Sequence, residues 1–231
     1  MHLALYHHEA GSTCSHKVRL CLRYKDLDYE SINIDLGARQ NQSAAYLKIN
    51  RHGVVPTLSH HGHVIQESNL IIEYLDRIFP TPPLLPDDPL LIYQTQYLSK
   101  RQEYINEQCL RYLSYQYSGR VTLLSDEDIT HHPLLDRQRF LATMKQGLSE
   151  PMVANIEAYL AKELVYLNQQ LHNHTWLVGE HYTMADLTWT AALYRLEQLD
   201  KLDILSTHGC HALLNWYERI KTMDHFFGYG F

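Results

Sequence analysis

The spacing of apolar residues along the chain changes near residue 80. Before it, short stretches in which apolar and polar residues alternate are interleaved with stretches of helical period. Alternation is typical of strands, and the His61-Gly62 pair predicts a turn between two of them. In chain order the predicted strands are "LALY", "YESINID", "PTLSH" and "HVIQ", and the predicted helices are "SHKVRLCLRYK", "SAAYLKI" and "SNLIIEYLDRIF". The pattern predicts the order βαβαββα.

Prolines mark the end of this first unit. Five of the eight prolines lie in "FPTPPLLPDDP", a density that neither a helix nor a central strand tolerates. Beyond it, apolar residues keep the spacing of three and four that indicates helices. One run at this spacing, apolar except for Thr95 and Gln102, is Leu91, Thr95, Leu98, Gln102, Ile105, Cys109 and Tyr112. We therefore predict an α+β domain over 1–79, a Pro-rich linker over 80–89 and an all-helical domain over 90–231.

One later helix is expected to lie at the centre of the second domain. Its sequence, "TMADLTWTAALYRLEQL", begins with Thr183 and has Asp186 three residues later. This spacing matches a capping box, in which the threonine oxygen accepts an otherwise free backbone N–H. The prediction is a capped, buried helix that begins at Thr183.

Composition excludes several broad classes of protein. Hydrophobic residues make up 45% of the 231 residues and charged residues 20%, which argues against a disordered or fibrous chain. The formal charge of −6 argues against nucleic-acid binding through phosphate charge. Apolar stretches stay below the roughly 18 residues of a membrane helix, and no secretory signal is visible. We expect a cytoplasmic protein without a membrane partner.

Cysteine and histidine predict neither a cross-link nor a metal site. The four cysteines are scattered and form no C-x-x-C pair, so we expect free thiols. The 16 histidines include adjacent pairs such as His60-His61, but adjacent histidines in a loop rarely converge on one ion. We therefore expect no bound metal.

Three short segments carry the candidate chemistry. Residues 12–15, Ser-Thr-Cys-Ser, lie at the start of the first predicted helix, where unpaired N–H groups and the helix dipole favour an anion or a thiolate. Val55-Pro56 opens the third strand, and Glu67-Ser68 precedes the third helix. Taken alone, the first and third segments are more simply explained as helix caps.

Together these segments resemble the glutathione transferase superfamily along nearly the whole chain. The resemblance is carried by "STCSHKVRLCL", "INRHGVVPTL", "ESNLIIEYLD" and "WLVGEHYTMADLTWTAAL", which occur in the family's order and near its spacing. The first segment is most similar to the serine-type classes (zeta, theta and the bacterial β-etherase-like group), and we assign no single class. The resemblance implies a thioredoxin-like domain with a mixed four-stranded sheet, then a helical-bundle domain. It also implies a homodimer that uses glutathione against a small electrophilic substrate.

The resemblance further implies roles for individual residues. Ser12 stands where the serine-type classes have the serine that binds the glutathione sulfur. Six other residues match positions that hold the rest of glutathione: Asn41, Gln42, Val55, Pro56, Glu67 and Ser68. The first pair would lie near the glycyl carboxylate. Val55 would present its backbone groups to the cysteinyl part, and Pro56 would be the cis-proline beside it. Glu67 and Ser68 would hold the γ-glutamyl end.

Three functions follow from these assignments. The leading hypothesis is a glutathione-dependent transferase or isomerase in which Ser12 stabilises the thiolate. A second is a glutathione-binding regulatory or interaction module with little turnover, because a fold does not guarantee its usual chemistry. A third is a thiol-disulfide reductase that uses Cys14, since a helix N-terminus lowers the pKa of a cysteine. We favour Ser12 over Cys14.

The electrophile is expected to lie against the first long helix of the second domain. On one side of that helix, Tyr97, Arg101, Tyr104 and Gln108 follow spacings of four, three and four. Aromatic residues at helical spacing usually pack in a core or a dimer interface. We therefore leave these four residues out of the predicted site.

Overall fold

The computed structural model describes residues 2–117, 125–223 and 226. The part of the chain before the prolines contains four strands and three α-helices, with a 3-10 turn at Gln40–Gln42. In chain order they are β1 (Leu3–His7), α1 (Thr13–Tyr24), β2 (Glu30–Asn33), α2 (Ala44–Leu47), β3 (Thr57–His60), β4 (His63–Ile65) and α3 (Ser68–Ile78). The predicted order βαβαββα is confirmed.

The four strands form one mixed sheet in the order β2-β1-β3-β4. β1 pairs parallel with β2 and antiparallel with β3, and β3 pairs antiparallel with β4. Leu5 of the central strand faces Ser31 on one side and Leu58 on the other. Because Leu5 and Leu58 are fully buried under the helices, this register fixes which face of the sheet carries the core. The predicted thioredoxin-like sheet is confirmed.

The chain after the prolines is mostly helical, as predicted. A long helix, α4 (Pro89–Ile105), runs through a π-helical turn (Asn106–Leu110) into α5 (Arg111–Tyr117). The later helices are α6 (Asp126–Thr130), α7 (Leu135–Gln146), α8 (Glu150–Gln170), α9 (Met184–Gln198), α10 (Ile204–Thr207) and α11 (His211–Lys221). Among the described residues, no helix is both long and apolar enough to cross a membrane. The boundaries 1–79, 80–89 and 90–231 stay a prediction.

Helix α9 lies at the centre of the molecule and packs against both α1 and α4. The predicted cap is present, since the buried Asp186 carboxylate accepts hydrogen bonds from Thr183 N and Thr183 Oγ1, each at 2.9 Å. The indole of Trp189, also buried, donates to the Leu98 carbonyl of α4 at 3.0 Å. Burial raises the pKa of Asp186 to about 6, against the effect of its hydrogen-bond donors. The helix thus joins the two halves of the chain.

Three buried histidines should make the fold sensitive to acid. Burial, with the nearby charge of Arg19, lowers the pKa of His7 to about 4 and that of His16 to about 3. Burial, then the charge of Arg137, lowers the pKa of His132 to about 4. A histidine buried in its neutral form favours folding above its ordinary pKa of 6.5, and this contribution is lost as the pH falls toward 4.

We therefore expect the melting temperature to fall as the pH is lowered from 7 to 5. His16 alone accounts for roughly 2 kcal/mol of lost unfolding free energy between pH 6.5 and 5. Asp186 has a raised pKa, so its protonation increases the free energy of unfolding as the pH falls. This gain from one carboxylate is smaller than the combined loss from the three histidines. Thermal unfolding followed by circular dichroism at several pH values checks this, and a melting temperature that stays constant or rises toward pH 5 would contradict it.

Candidate functional site

A cavity of about 370 Å³ lies between the α/β part of the chain, which ends with α3, and the later helices. Its walls come from the start of α1, the segments around residues 35–42 and 53–55, and helices α5, α7 and α9. Four of the seven predicted site residues line it, namely Ser12, Asn41, Gln42 and Val55. The other three, Pro56, Glu67 and Ser68, lie outside this lining.

Ser12 is the N-cap of α1. Its backbone is extended, and its Oγ accepts a hydrogen bond from Ser15 N at 3.2 Å. A serine hydroxyl that accepts in this way still has its own hydrogen to donate. Ser15 is fully buried, and its Oγ accepts from His8 N at 3.2 Å, which fastens the helix to the end of β1. The Ser12 hydroxyl is thus held at the positive end of the α1 dipole, facing the cavity.

The loop that leads into α1 requires glycine at position 11. Gly11 has a φ of +79°, and a Cβ there would lie 3.1 Å from the Arg195 guanidinium of α9. On the other side of the loop, Arg19 donates to the His8 and Glu9 carbonyls at 3.0 and 3.1 Å. These contacts fix the position of Ser12 relative to both halves of the chain.

Cys14 also lines the cavity and is partly exposed. Asn106, the first residue of the π-helical turn, places its Nδ2 3.5 Å from Cys14 Sγ. Lys17, one turn further along α1, is fully buried and donates to Asn69 Oδ1 at 2.7 Å and Gln102 Oε1 at 3.1 Å. Burial lowers the pKa of Lys17, while Cys14 and Glu103 oppose this shift. Sequence reasoning identified neither Asn106 nor Lys17.

The segment before β3 is held by buried amide and hydroxyl groups. The Val55-Pro56 peptide bond is cis, as predicted. Tyr46 and Asn50 both donate to the Val54 carbonyl, at 2.7 and 3.0 Å. Asn41 is buried, and its Nδ2 donates to the Gly53 carbonyl at 2.7 Å. Asn41 therefore braces the segment that presents the Val55 backbone to the cavity.

Glu67 and Ser68 lie at the start of α3. Glu67 has a φ of +65°, a region that side chains other than glycine seldom occupy, and Ser68 is buried. The hydrogen bond between Lys17 and Asn69 joins this helix start to α1. The start of α3 therefore lies beside α1, and neither Glu67 nor Ser68 lines the cavity.

The helical wall of the cavity differs from the expected face of α4. Tyr97 and Tyr104 are exposed, Gln108 is exposed, and Arg101 forms an ion pair with Glu163 of α8. The wall is formed instead by Asn106, Arg111, Ser114, Tyr115, His132, Arg137, Phe140, Leu141 and Arg195. Among the described residues, no group of three His, Cys, Asp or Glu side chains is arranged to hold a metal ion.

Known proteins resemble this chain in sequence and in fold. Residues 5–83 match the family described as "Glutathione S-transferase, N-terminal domain", and residues 138–229 match "Glutathione S-transferase, C-terminal domain". Maleylacetoacetate isomerase of Pseudomonas aeruginosa is 42% identical over 191 residues, which are 81% of this chain and 78% of that protein. Glutathione S-transferase Z2 of Arabidopsis thaliana is 46% identical over 77 residues, and that match spans only 34% of the plant protein.

A solved structure extends the similarity to the whole fold. The crystal structure of beta-etherase LigF from Sphingobium superposes with a TM-score of 0.86 at 25% identity, covering 98% of this chain and 97% of that one. These matches agree with the mixed sheet, the helical second half and the cavity between them. The chain therefore belongs to the glutathione S-transferase family, which confirms the predicted class of a glutathione-dependent transferase or isomerase with glutathione as cosubstrate.

Proposed function

We propose that the cavity holds glutathione with its sulfur at Ser12, and that the bound thiolate attacks a small electrophile. The observation that carries this proposal is the geometry of Ser12. Its oxygen accepts from Ser15 N, its hydroxyl hydrogen is available to a ligand, and it stands at the N-terminus of α1 on the cavity wall.

The chemistry requires a stabilised thiolate. A free thiol has a pKa near 8.5 and is only a few per cent ionised at neutral pH. A charge-assisted hydrogen bond contributes roughly 1.5–3 kcal/mol, so the Ser12 hydroxyl and the helix dipole together would lower the sulfur pKa by about one to two units. The thiolate then forms a carbon–sulfur bond with its lone pair. In a transfer the leaving group departs with its bonding electrons, and in an isomerisation the sulfur itself leaves again.

The remaining predicted residues would hold the rest of the tripeptide. The braced segment before the cis-proline supports Val55 as the backbone partner of the cysteinyl part. The cavity lining supports Asn41 and Gln42 near the glycyl carboxylate, although the Asn41 amide hydrogens are partly used by Gly53. Glu67 and Ser68 are proposed for the γ-glutamyl end, beside the N-terminus of α3.

A panel of three assays tests the proposed function. Purified protein and glutathione are mixed with a chlorinated nitroaromatic, with a maleyl-type cis-alkene, which the isomerase relative suggests, or with a mixed disulfide. Turnover of either of the first two is expected. Glutathione binding without turnover would favour the binding module instead.

Cys14 carries the second candidate function. Its Sγ faces the cavity with the Asn106 amide at 3.5 Å, and the buried Lys17 lies near it. A thiolate in such surroundings attacks disulfides through a mixed-disulfide intermediate. Turnover of only the mixed disulfide, together with a glutathione adduct at Cys14 in the mass spectrum, would establish this function in place of the first.

Substitution of Glu67 or Ser68 should mainly weaken glutathione binding. We expect Glu67→Gln and Ser68→Ala to raise the KM for glutathione about 5- to 50-fold with little change in kcat, because both residues would contact a part of the tripeptide remote from the sulfur. Steady-state kinetics at fixed electrophile measure this. Glu103→Gln is the matched control. Burial lowers the pKa of Lys17, and Glu103 and Glu67 both oppose this shift, but Glu103 lies on α4 and is not among the residues proposed to hold glutathione. An unchanged KM in both variants would remove these residues from the site.

We also propose that the protein is a homodimer that pairs through α4. Leu90, Tyr93, Tyr97 and Tyr104 lie on one face of that helix, and each side chain is 43–62% exposed. The rings of Tyr93 and Tyr97 stack at 6.1 Å, which leaves an apolar surface of the kind that subunit interfaces cover.

Sedimentation equilibrium should therefore give twice the chain mass. Tyr97→Lys should weaken the dimer, because it places a charge in the contact. Leu135→Lys on α7 is the control, at an exposed apolar residue outside α4. A wild-type monomer at micromolar concentration would contradict the proposal.

The cytoplasm is the proposed compartment. All four cysteines carry free thiols, which suits a reducing environment. Fractionation of cells that produce the protein at its native level tests this, with recovery in the cytoplasmic fraction as the expected result.

A further inference from the structure

We propose that Arg111 and Arg137 form a carboxylate-binding subsite, so that the electrophile is a small organic acid with a flat apolar portion. This inference rests on the proposed function, since it concerns the second substrate of the same cavity. Both arginines line the cavity wall, from α5 and α7 respectively.

The cavity wall carries a strong excess of positive charge. Its charged lining residues are one aspartate, Asp35, and four arginines, Arg39, Arg111, Arg137 and Arg195. The whole chain has a formal charge of −6, so this concentration of cations is local. A concave surface with charge of one sign attracts a ligand of the opposite sign.

One carboxylate is shared between the two arginines of the subsite. Glu107 forms an ion pair with Arg111 Nη2 through one oxygen, and its other oxygen lies 3.4 Å from Arg137 Nη2. Burial, followed by the charge of Arg137, lowers the pKa of Arg111. Because an arginine stays protonated in proteins, both positive charges remain. Glu107 forms ion pairs with both guanidinium groups, and Asp136 of α7 also acts on the charge of Arg111. An incoming carboxylate would pair with N–H groups that these two carboxylates leave without a hydrogen bond.

Several N–H groups of the pair lack a partner. Arg111 Nε, Arg111 Nη1 and Arg137 Nε are buried and make no hydrogen bond to the described residues. Unpaired buried donors are costly, and guanidinium groups match the two oxygens of a carboxylate. A change in the side-chain torsions of Arg111 and Arg137, with their contacts to Glu107 kept, would turn these N–H groups toward a ligand in the cavity.

The surroundings of the pair are aromatic. The Arg111 guanidinium lies 4.6 Å from the centroid of the Phe140 ring, and that ring is held edge-to-face by Tyr112 and Tyr115 at 4.8 and 5.0 Å. Phe140, Tyr115 and Leu141 all line the cavity. A ligand whose carboxylate met the arginines would therefore place its adjoining carbon atoms against an apolar, planar surface.

The glutathione carboxylates are an alternative ligand for these arginines. The proposed glycyl end lies near Asn41 and Gln42, where Arg39 supplies a cation on the opposite wall. Arg111 and Arg137 belong to the helical wall, which supplies none of the residues assigned to glutathione. The experiment below separates the two ligands.

Equilibrium binding of unreactive analogues tests the subsite independently of turnover. Nitrobenzoate and nitrobenzamide are titrated by calorimetry into protein saturated with S-methylglutathione, which cannot form a thiolate. Wild-type protein should bind the benzoate about 10- to 100-fold more tightly than the amide. Arg137→Gln should abolish this preference, while Arg139→Gln, an exposed arginine of the same helix, should retain it.

Three outcomes of these titrations would separate the subsite from the alternatives. Equal affinity for acid and amide in the wild type, or an undiminished preference in Arg137→Gln, would overturn the subsite. If Arg137→Gln weakened S-methylglutathione as strongly as nitrobenzoate, the arginines would serve glutathione and the subsite would again be wrong. An acid preference in a protein that turns over no electrophile would leave the subsite standing and refute the proposed function alone.

Discussion

Replacing Ser12 with alanine is expected to lower the transferase rate at neutral pH by about 10- to 100-fold. The variant would lose the hydroxyl that donates to the thiolate, worth roughly 1.5–3 kcal/mol of charge-assisted hydrogen bonding. Raising the pH should restore part of the rate, because hydroxide then supplies the ionisation that the serine favoured. Initial rates across a pH series, at saturating glutathione, measure both effects.

The helix cap complicates this substitution, because Ser12 also accepts from Ser15 N. Loss of the cap costs about 0.5–2 kcal/mol of stability in an alanine variant but only a few tenths in a glycine variant. Ser12→Gly is therefore the matched control and should lose as much activity as Ser12→Ala while remaining more stable. Cys14→Ala should change the rate little. Inactivation by Cys14→Ala, with Ser12→Ala harmless, would reverse the assignment.

Replacing Asp186 with alanine should cause the largest loss of stability. The carboxylate accepts four hydrogen bonds, from Leu177 N, Thr183 N, Thr183 Oγ1 and Trp216 Nε1, at 2.9 to 3.0 Å. These donors come from the preceding loop, from the N-cap of α9 and from α11. Because all of them are buried, removal of the acceptor leaves them unpaired. We expect a loss of about 3–5 kcal/mol of unfolding free energy.

Thermal unfolding checks this expectation. The melting temperature should fall by roughly 6–20 °C, given about 2–4 °C per kcal/mol for a chain of this size. Trp216→Phe removes only one donor and should cost less than half as much. Asp203→Ala, at an exposed aspartate of the same half, should have little effect. A loss below 1 kcal/mol for Asp186→Ala would show that the network is not needed for stability.

Local patterns predicted the elements, and the resemblance to a known family predicted the site. Strand β2 follows from the alternation in "YESINID", and the turn between β3 and β4 follows from His61-Gly62. The start of α1 alone predicts only a cap at Ser12, so its role toward the sulfur rests on the resemblance. The Thr183-Asp186 spacing predicted the cap of α9, because a capping box is set by neighbours in the chain. Features of this kind need no knowledge of the tertiary structure.

The site residues that the sequence does not indicate depend on packing between distant segments. Lys17 is a charged residue, of a type that is usually exposed, yet it is fully buried between α3 and α4. Asn106 lies in a π-helical turn, which a search for a period of 3.6 does not detect. Arg111 and Arg137 come from different helices and are joined through Glu107. No spacing in the sequence indicates such contacts.

The most direct test of the account is the thiol pKa of glutathione bound to the protein. Thiolate absorbs in the ultraviolet, so a pH titration of the complex, with free glutathione as reference, gives this value for the wild type and for Ser12→Ala. If Ser12 donates to the thiolate, the pKa of bound glutathione should lie about one to two units below the free value in the wild type and return by at least about one unit toward it in the variant. An unshifted pKa in the wild type, or the same lowered pKa in both proteins, would contradict this role of Ser12.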